Sequence, residues 1–311
     1  MPAPLGVAFL GNDRWSVPSL EALAGSEHTI AAVITAPPKP AGRGNRLTPT
    51  PVATAARALG LPLHEVETVK TGPGREALEA SRADVLAVVA YGEILPASIL
   101  RLPALAPVNL HFSLLPTLRG ASPVQTALLV GLERTGVTTI AMDEGLDTGP
   151  VILQREVAIE PEDDAGSLGA RLAAVGAEVL RETIDRFAAG PVAPTPQDDA
   201  LATSTTRFGP EDRVLDWADQ ATDLVNLCRA LSPEPAATTR FRGRGLKVYR
   251  GQATEATGEP GRIVEVRPEG IVVATGRGGF RPLDLAPEGR KRMTAADVVN
   301  GLRPEVGERL G

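Results

Sequence analysis

The chain has 311 residues and a formal net charge of −6, and 43% of its residues are hydrophobic but only 3% are aromatic. This length exceeds that of one typical domain, so we expect two domains whose cores are built from aliphatic side chains and alanine. The negative net charge argues against non-specific binding of nucleic acid over the whole surface. Any polyanionic partner must therefore be met by local basic patches.

The single cysteine and the hydropathy pattern indicate the environment of the protein. Cys228 excludes a disulfide framework and an all-cysteine metal site, and it lies in a helical apolar pattern typical of a packed side chain. No apolar run reaches the roughly eighteen residues that a membrane span needs, and the first residues lack a signal-peptide pattern. We therefore expect a soluble protein of the reducing cytoplasm.

Strands and helices alternate along the first part of the sequence. Helical spacing is found at 17–24, 52–59, 77–82, 124–130 and 166–187, between short apolar runs that predict strands at 5–10, 29–35, 63–66, 85–90, 137–142 and 151–157. This alternation predicts an α/β fold, a doubly wound sheet over residues 1–189. The first strand is not followed by G-x-G-x-x-G, which counts against an ordinary dinucleotide-binding fold.

The sequence changes character near residue 190. Residues 190–206 form a polar tract that we interpret as a linker. A helix over 224–231 is then followed by short runs separated by glycines, at 238–241, 246–249, 262–266, 271–274 and 280–285. Several short strands at close spacing predict a small β-barrel domain over residues 207–311.

A polar pair interrupts the apolar strand that ends near residue 111. Asn109 and His111 are two residues apart, so their side chains point to the same face of the strand. A polar pair on a packed face must be hydrogen-bonded, and the least costly place for it is the carboxyl end of the strand, where open α/β sheets bind ligands. Taken alone, the pair is compatible with a structural role as well as a functional one.

The loop after this strand is apolar and rich in proline, a composition suited to enclosing a flat heterocycle. The strand end and the loop together resemble the core motif of the folate-dependent formyltransferases. The matching residues are Asn109-x-His111, Ser113-Leu114-Leu115-Pro116, Arg119-Gly120-Ala121 and Pro123. A second motif of that family ends its site with an aspartate, and here residues 143–149 supply it with Asp147 in the matching place. Two motifs in the same order and at a similar distance make the resemblance specific.

The resemblance implies a catalytic trio of Asn109, His111 and Asp147, with 10-formyltetrahydrofolate as co-substrate and no metal. His111 and Asn109 would donate to the oxyanion that forms at the formyl carbon, and Asp147 would receive the proton of the attacking amine. It also implies that Ser113, Leu114, Leu115 and Pro116 line the folate site. Tyr91 is either a wall of this site or a strand-end aromatic of the core.

The connection over residues 36–49 is long and carries Lys39, Arg43 and Arg46 without any acid. Such a loop is either a solvated, mobile segment or a site for a phosphate-bearing substrate. It is similar to the loop with which the family members that act on methionyl-tRNA contact the tRNA acceptor stem. We therefore expect Arg43 and Arg46 to contact nucleic acid, and Lys247, from a basic hairpin of the second domain, to add a contact.

The resemblance covers nearly the whole chain and, within the family, is strongest to the enzymes that formylate initiator methionyl-tRNA for translation initiation. It implies a Rossmann-like catalytic domain, an OB-like tRNA-binding domain and a monomer. A sugar-nucleotide N-formyltransferase is the alternative, and the basic loop argues against it. Two positions depart from the family pattern: Asn12-Asp13 in the first turn, and Glu234-Pro235 where relatives carry Trp-Pro.

Overall fold

The computed structural model describes residues 3–41 and 44–311. The chain divides into two compact units. The first consists of the residues up to Pro123, Arg134–Ala158 and Gly169–Thr205, and the second of Val124–Glu133, Ile159–Leu168 and Thr206–Gly311. Among the described residues, no helix combines the length and the apolar composition needed to cross a bilayer.

In the described part of the chain, eleven strands and six α-helices precede residue 206, and helices separate most of the strands as the sequence predicts. The strands are β1 (Gly6–Gly11), β2 (Thr29–Thr35), β3 (Lys39–Ala41), β4 (Arg46–Thr48), β5 (Leu63–Glu65), β6 (Val85–Val89), β7 (Ala106–His111), β8 (Arg119–Gly120), β9 (Arg134–Ala141), β10 (Val151–Ala158) and β11 (Ser204–Thr205). The helices are α1 (Val17–Ala24), α2 (Pro51–Ala58), α3 (Gly72–Ser81), α4 (Ala97–Leu100), α5 (Pro123–Leu129) and α6 (Ala165–Ala189).

The first unit contains a seven-stranded sheet of order β10–β9–β7–β6–β1–β2–β5. The five neighbouring strands β5, β2, β1, β6 and β7 run parallel. Strand β6, whose five residues are all buried, has the continuous apolar composition of a central parallel strand. The strand order reverses between β1 and β6, and the carboxyl ends of strands at such a switch point form a ligand-binding crevice. The predicted doubly wound, Rossmann-like sheet is therefore confirmed.

One edge of this sheet is antiparallel. Strand β9 pairs with β7 and with β10 in the antiparallel sense, and this pairing brings Ile140 beside Asn109 and Thr138 beside His111. The polar pair of β7 thus lies between the parallel strand β6 and the antiparallel strand β9. Both positions are near the carboxyl end of β7, where the sequence predicts them.

The described part of the basic connection of residues 36–49 forms a short hairpin, which the sequence analysis did not predict. Strands β3 and β4 pair as an antiparallel hairpin, with Pro40 opposite Leu47. Gly44 and Asn45, which precede β4, both have positive φ, 95° and 52°, a backbone conformation that glycine and asparagine adopt more readily than most residues. Gly42 and Arg43 lie outside the described residues.

The second unit contains strands β12 (Ala237–Phe241), β13 (Arg244–Thr254), β14 (Ile263–Arg267), β15 (Gly270–Ala274), β16 (Gly279–Pro287) and β17 (Met293–Thr294), with helices α7 (Ala221–Leu231) and α8 (Ala295–Leu302). Its strands form an antiparallel sheet of order β12–β13–β16–β15–β14, which confirms the predicted second β domain. Trp217 and Phe280 pack edge to face in its core, with ring centroids 5.9 Å apart.

Two other sequence predictions fall in the second unit. Cys228 is fully buried on α7, and burial raises the pKa of its thiol, so it is a packed and unreactive side chain. Glu234, at the position where relatives carry tryptophan, is exposed.

Candidate active site

The structure brings Asn109, His111 and Asp147 together at the carboxyl end of β7. Asn109 Nδ2 donates to Asp147 Oδ1 at 3.3 Å, and His111 Nδ1 lies 3.5 Å from Asp147 Oδ2. The backbone N–H of Gly120 donates to the same Oδ2 atom at 2.8 Å. One carboxylate thus connects the strand, the loop after it and the loop that follows β9. The roles of the three side chains stay predictions.

The imidazole of His111 is held from both sides. Its Nε2 atom lies 2.9 Å from the carbonyl oxygen of Leu118, which can only accept, so Nε2 carries a proton. On the other side of the ring, Nδ1 faces the carboxylate of Asp147 at a distance longer than a good hydrogen bond. The carboxylate of Asp147 therefore lies beside the ring nitrogen that the carbonyl of Leu118 leaves free.

Asp147 lies in a turn with a left-handed backbone. Its φ is 56°, a conformation that aspartate adopts more readily than most non-glycine residues. Its side chain is 13% exposed, whereas the neighbouring Leu146 is 60% exposed. The turn thereby directs the carboxylate inward and leaves the leucine outside.

The predicted folate loop is fixed by its own polar groups. Ser113 Oγ donates to the carbonyl of Thr117 at 2.5 Å, and the N–H of Leu115 donates to Thr138 Oγ1 at 3.2 Å. Ser113 and Leu115 are buried, whereas Leu114 and Pro116 are partly exposed. Of the four predicted folate contacts, Ser113 and Leu115 therefore shape the loop from inside, and Leu114 and Pro116 lie closer to solvent.

Tyr91 follows β6 and is 6% exposed. It packs in the apolar cluster that includes Leu10, Leu95 and Ile99. Burial, together with the neighbouring Glu93, raises the pKa of its hydroxyl. Its side chain therefore belongs to the core in this structure, while Ile94 of the same loop is 67% exposed.

The departure at Asn12 has a structural explanation. Its Oδ1 accepts from Thr35 Oγ1 at 2.9 Å and from the N–H of Ala36 at 2.7 Å, and its Nδ2 donates to the carbonyl of Tyr91. The hydroxyl of Thr35 also lies 2.7 Å from that of Thr50, which caps α2. Asn12 therefore ties together the ends of β1, β2 and β6 and the two ends of the basic connection.

We expect Asn12→Ala to lower the free energy of unfolding by about 1–3 kcal/mol, because it removes the partners of Ala36 N–H and the Tyr91 carbonyl. Asp13→Ala is the matched control, since the exposed side chain of Asp13 accepts, among the described residues, only from the N–H of Trp15 and should cost about 1 kcal/mol. Urea denaturation of both variants measures the difference. Equal losses would contradict the role of Asn12.

The predicted nucleic-acid contacts lie on two different units. Arg46 is exposed on β4, and Lys247 is exposed on β13, opposite Thr238 and Ala286. Over residues 3–41 and 44–311, neither side chain forms an ion pair. Arg43 cannot be placed, because it lies outside these residues.

Several other basic residues of the second unit are already paired. Arg242 makes two hydrogen bonds of 2.7 Å to Glu308, and Arg250 and Arg292 both pair with Asp284. These guanidinium groups stabilise the unit and are less available to a ligand than Lys247.

The sequence motifs missed one further side chain of the site, that of Gln197. Its Nε2 donates to the carbonyls of Asp147 and Gly149, and its Oε1 accepts from Arg119. Gln197 lies in the tract interpreted as a linker, where polar composition without periodicity gives no signal of a contact with the site. Residues 190–205 belong to the first unit, and the domain boundaries drawn at 189 and 206 stay predictions.

Two family models match the chain. Residues 6–184 match the formyl transferase model, and residues 207–303 match the model of the formyl transferase C-terminal domain. The chain is 41% identical over 307 residues to the methionyl-tRNA formyltransferase of Solibacter usitatus (strain Ellin6076), which covers 98% of both chains. It is 42% identical over 307 residues to that of Moorella thermoacetica, covering 98% of this chain and 99% of the relative.

Solved structures with the same fold include HypX from Aquifex aeolicus in complex with tetrahydrofolic acid. Its TM-score to this chain is 0.68 at 18% identity, and the match covers 98% of this chain and 49% of HypX. The N-formyltransferase from Helicobacter canadensis, in complex with folinic acid and dTDP-3-aminofucose, has a TM-score of 0.66 and 17% identity, covering 89% of this chain and 98% of that one. At these identities the structures support the fold alone. Both family models and the full-length similarity agree: the chain belongs to the formyltransferase family and, within it, to the methionyl-tRNA formyltransferases.

Proposed function

We propose that this chain transfers the formyl group of 10-formyltetrahydrofolate to the α-amine of methionyl-tRNA, and so supplies formylmethionyl-tRNA for translation initiation. Full-length relatives about 40% identical carry the name of this activity. The observation that carries the proposal at the level of residues is the convergence of Asn109, His111 and Gly120 on the carboxylate of Asp147.

The proposed chemistry needs a neutral amine, stabilisation of an oxyanion and a group that takes a proton. 10-Formyltetrahydrofolate supplies the formyl group as a substrate. His111, through Nδ1, and Asn109, through its amide, donate to the formyl oxygen as negative charge builds on it. Asp147 accepts the proton that the amine loses on attack, directly or through water. This proton passes to N10 of the folate as the bond between N10 and the formyl carbon breaks, and tetrahydrofolate leaves. Burial of His111 and Asp147 strengthens these interactions, because they act away from bulk water.

The folate substrate would lie against the loop of residues 113–116. Ser113 and Leu115 would hold the loop in shape, and the partly exposed Leu114 and Pro116 would face the substrate. Tyr91 would support this wall from the core, and its carbonyl is fixed by Asn12. Folate would therefore meet a preformed surface.

The tRNA substrate would be met by basic residues of both units. Arg43 and Arg46 of the hairpin connection would contact the acceptor end, and Lys247 would contact the phosphate backbone from the second domain, residues 207–311. An arginine fork suits phosphates and base edges alike, and Arg46 is exposed and without an ion pair within the described part of the chain. We further propose that the protein acts as a cytoplasmic monomer, which sedimentation of the purified protein tests.

We expect Arg46→Ala to lower kcat/KM for methionyl-tRNA by about tenfold or more, with Arg43→Ala giving a similar loss, because each removes one good nucleic-acid contact. The KM for the folate substrate should not change. In Arg46→Ala, the slope of log kcat/KM against log salt should fall by about one unit. Arg57→Ala is the control, since this exposed arginine of the same unit is paired with Glu65. If Arg46→Ala leaves both kcat/KM for methionyl-tRNA and its salt dependence unchanged, the hairpin does not contact the tRNA.

The experiment that tests the function compares two acceptors. The purified protein, with 10-formyltetrahydrofolate, is given either methionyl-tRNA or an amino-sugar nucleotide, and kcat/KM is measured for each. We expect formylation of methionyl-tRNA and no measurable formylation of the sugar. The opposite preference would replace the proposed function by that of a sugar-nucleotide N-formyltransferase.

A further inference from the structure

A segment of the first unit, residues 195–205, runs against the loops that carry the active site, and we call it the strap. It begins where Thr195 forms a bridge to Val151, and it ends where β11 pairs in parallel with β8. Between these points, the N–H of Leu118 donates to Thr203 Oγ1 at 2.8 Å. Leu118 is the residue whose carbonyl holds His111 Nε2, so the strap contacts the loop beside the catalytic imidazole.

Gln197 is the residue of the strap whose side chain reaches the other loop. Its Nε2 donates to the carbonyl of Asp147 at 2.8 Å and to the carbonyl of Gly149 at 2.7 Å. Its Oε1 accepts from Arg119 Nε at 3.1 Å and from Arg119 Nη2 at 2.8 Å. Both donors and both acceptor positions of this one amide are thus in use.

The chemistry of these contacts selects an amide. Two backbone carbonyls need donors, and a guanidinium needs an acceptor, so the group between them must supply both from adjacent atoms. A carboxylate would meet the carbonyls without a proton to give them, and an apolar side chain would leave all three partners unsatisfied. The arrangement also identifies the orientation of the amide, because only one assignment of oxygen and nitrogen satisfies both sides.

The two carbonyls belong to the turn that presents Asp147. This residue has a left-handed backbone, and its carboxylate accepts from Gly120 N–H and Asn109. Gly120 follows Arg119, the other partner of Gln197. The amide therefore joins the turn that carries the carboxylate to the strand that supplies one of its donors.

We propose that Gln197 is a positioning residue for the formyl transfer: it holds the Asp147 turn against β8, so that the carboxylate stays aligned with Asn109 and His111. This inference rests on the proposed function of the site. Because Gln197 bonds to backbone carbonyls and to Arg119, it acts through Asp147 and contacts no reacting atom. Its loss should affect the transfer step more than the binding of either substrate.

The test uses two variants and a matched control in the full-length protein. Gln197→Met keeps the size of the side chain and removes every hydrogen bond, whereas Gln197→Glu keeps the acceptor for Arg119 and removes the donor to the turn. Asp199→Ala is the control, since Asp199 is another strap residue bonded to Arg119, its side chain is 84% exposed, and it does not contact the turn.

We expect both Gln197 variants to lower kcat by about tenfold to a hundredfold, because a small displacement of a catalytic group has effects of this size. The KM values for folate and methionyl-tRNA should stay within about twofold of wild type. Asp199→Ala should have the kcat of the wild type. Hydrogen–deuterium exchange of the segment 143–149 should rise in the Gln197 variants and not in the control.

Two results would overturn the inference while leaving the proposed function intact. The first is a kcat in Gln197→Met within about twofold of wild type. The second is a variant in which kcat, both KM values and Tm change together, as expected for a merely structural contact. If the wild-type protein did not formylate methionyl-tRNA, the proposed function would fail instead. The exchange measurement would then decide whether Gln197 holds the Asp147 turn, since it needs no activity.

Discussion

Replacing His111 by alanine is expected to lower kcat for formyl transfer by about a hundredfold or more, the usual effect of losing one oxyanion donor. In the proposed mechanism His111 donates to the formyl oxygen through Nδ1, since Nε2 is occupied by the carbonyl of Leu118. The interaction acts mainly in the transition state, so the KM values should change little. Steady-state kinetics with both substrates varied measure these quantities.

The first unit offers a matched control for this variant in a second buried histidine paired with an aspartate. His28 is 8% exposed, and its Nε2 lies 3.0 Å from Asp185 Oδ1. His28→Ala should therefore lower Tm, because it removes a buried side chain that accepts from the N–H of Leu5 and pairs with Asp185, but it should leave kcat unchanged. If both histidine variants lowered kcat alike, the effect of His111 would be one of folding rather than of chemistry.

Replacing Asp147 by alanine or by asparagine is also expected to lower kcat by about a hundredfold or more. Alanine removes the acceptor shared by Gly120 N–H and Asn109, together with the charge that faces His111. Asparagine can still accept from Gly120 but carries no negative charge and cannot take the proton of the amine. A similar loss in both variants would assign the effect to the charge.

The control for Asp147 is Glu144→Gln, which removes an exposed acid from the same loop. Its kcat should equal that of the wild type, because Glu144 has no contact with the site among the described residues. A loss of activity in this variant would indicate that the net charge of the loop matters rather than the carboxylate of Asp147. An Asp147→Asn variant within a fewfold of wild type would contradict the proton-accepting role.

Much of the fold follows from the sequence because its main elements carry strong periodic signals. The buried run of β6 and the amphipathic spacing of α6 leave little choice of secondary structure. The two-residue spacing of Asn109 and His111 also fixes their common face, once β7 is recognised as a strand. Asp147, however, was assigned only by resemblance, because the distance between two loops cannot be read from spacing.

The remaining elements were missed because their signals are short or depend on distant residues. Strands β8 and β11 have two residues each, so neither shows alternation, and the strap that contains β11 was interpreted as a linker. The antiparallel hairpin of β3 and β4 was missed because each of its strands has three residues, too few to show a clear alternation.

Charge runs were the least informative part of the sequence. Arg242 and Lys247 occur in the same basic hairpin, yet Arg242 is held by Glu308, 66 residues further along the chain, and Lys247 is exposed. The sequence could not distinguish them, because the acid that neutralises an arginine need not be near it in the chain. Pairing in the fold decides which cations remain available for a polyanion.

The most direct test of the account is a double-mutant cycle for the transfer step, measured by rapid quench with enzyme in excess over methionyl-tRNA and with both substrates bound. Wild type, His111→Ala, Asp147→Ala and the double variant are compared. If the two side chains act as one unit, the double variant should be no slower than the slower single variant by more than a fewfold. Losses that multiply in the double variant, or single variants that transfer at the wild-type rate, would contradict the claim that these residues carry the reaction together.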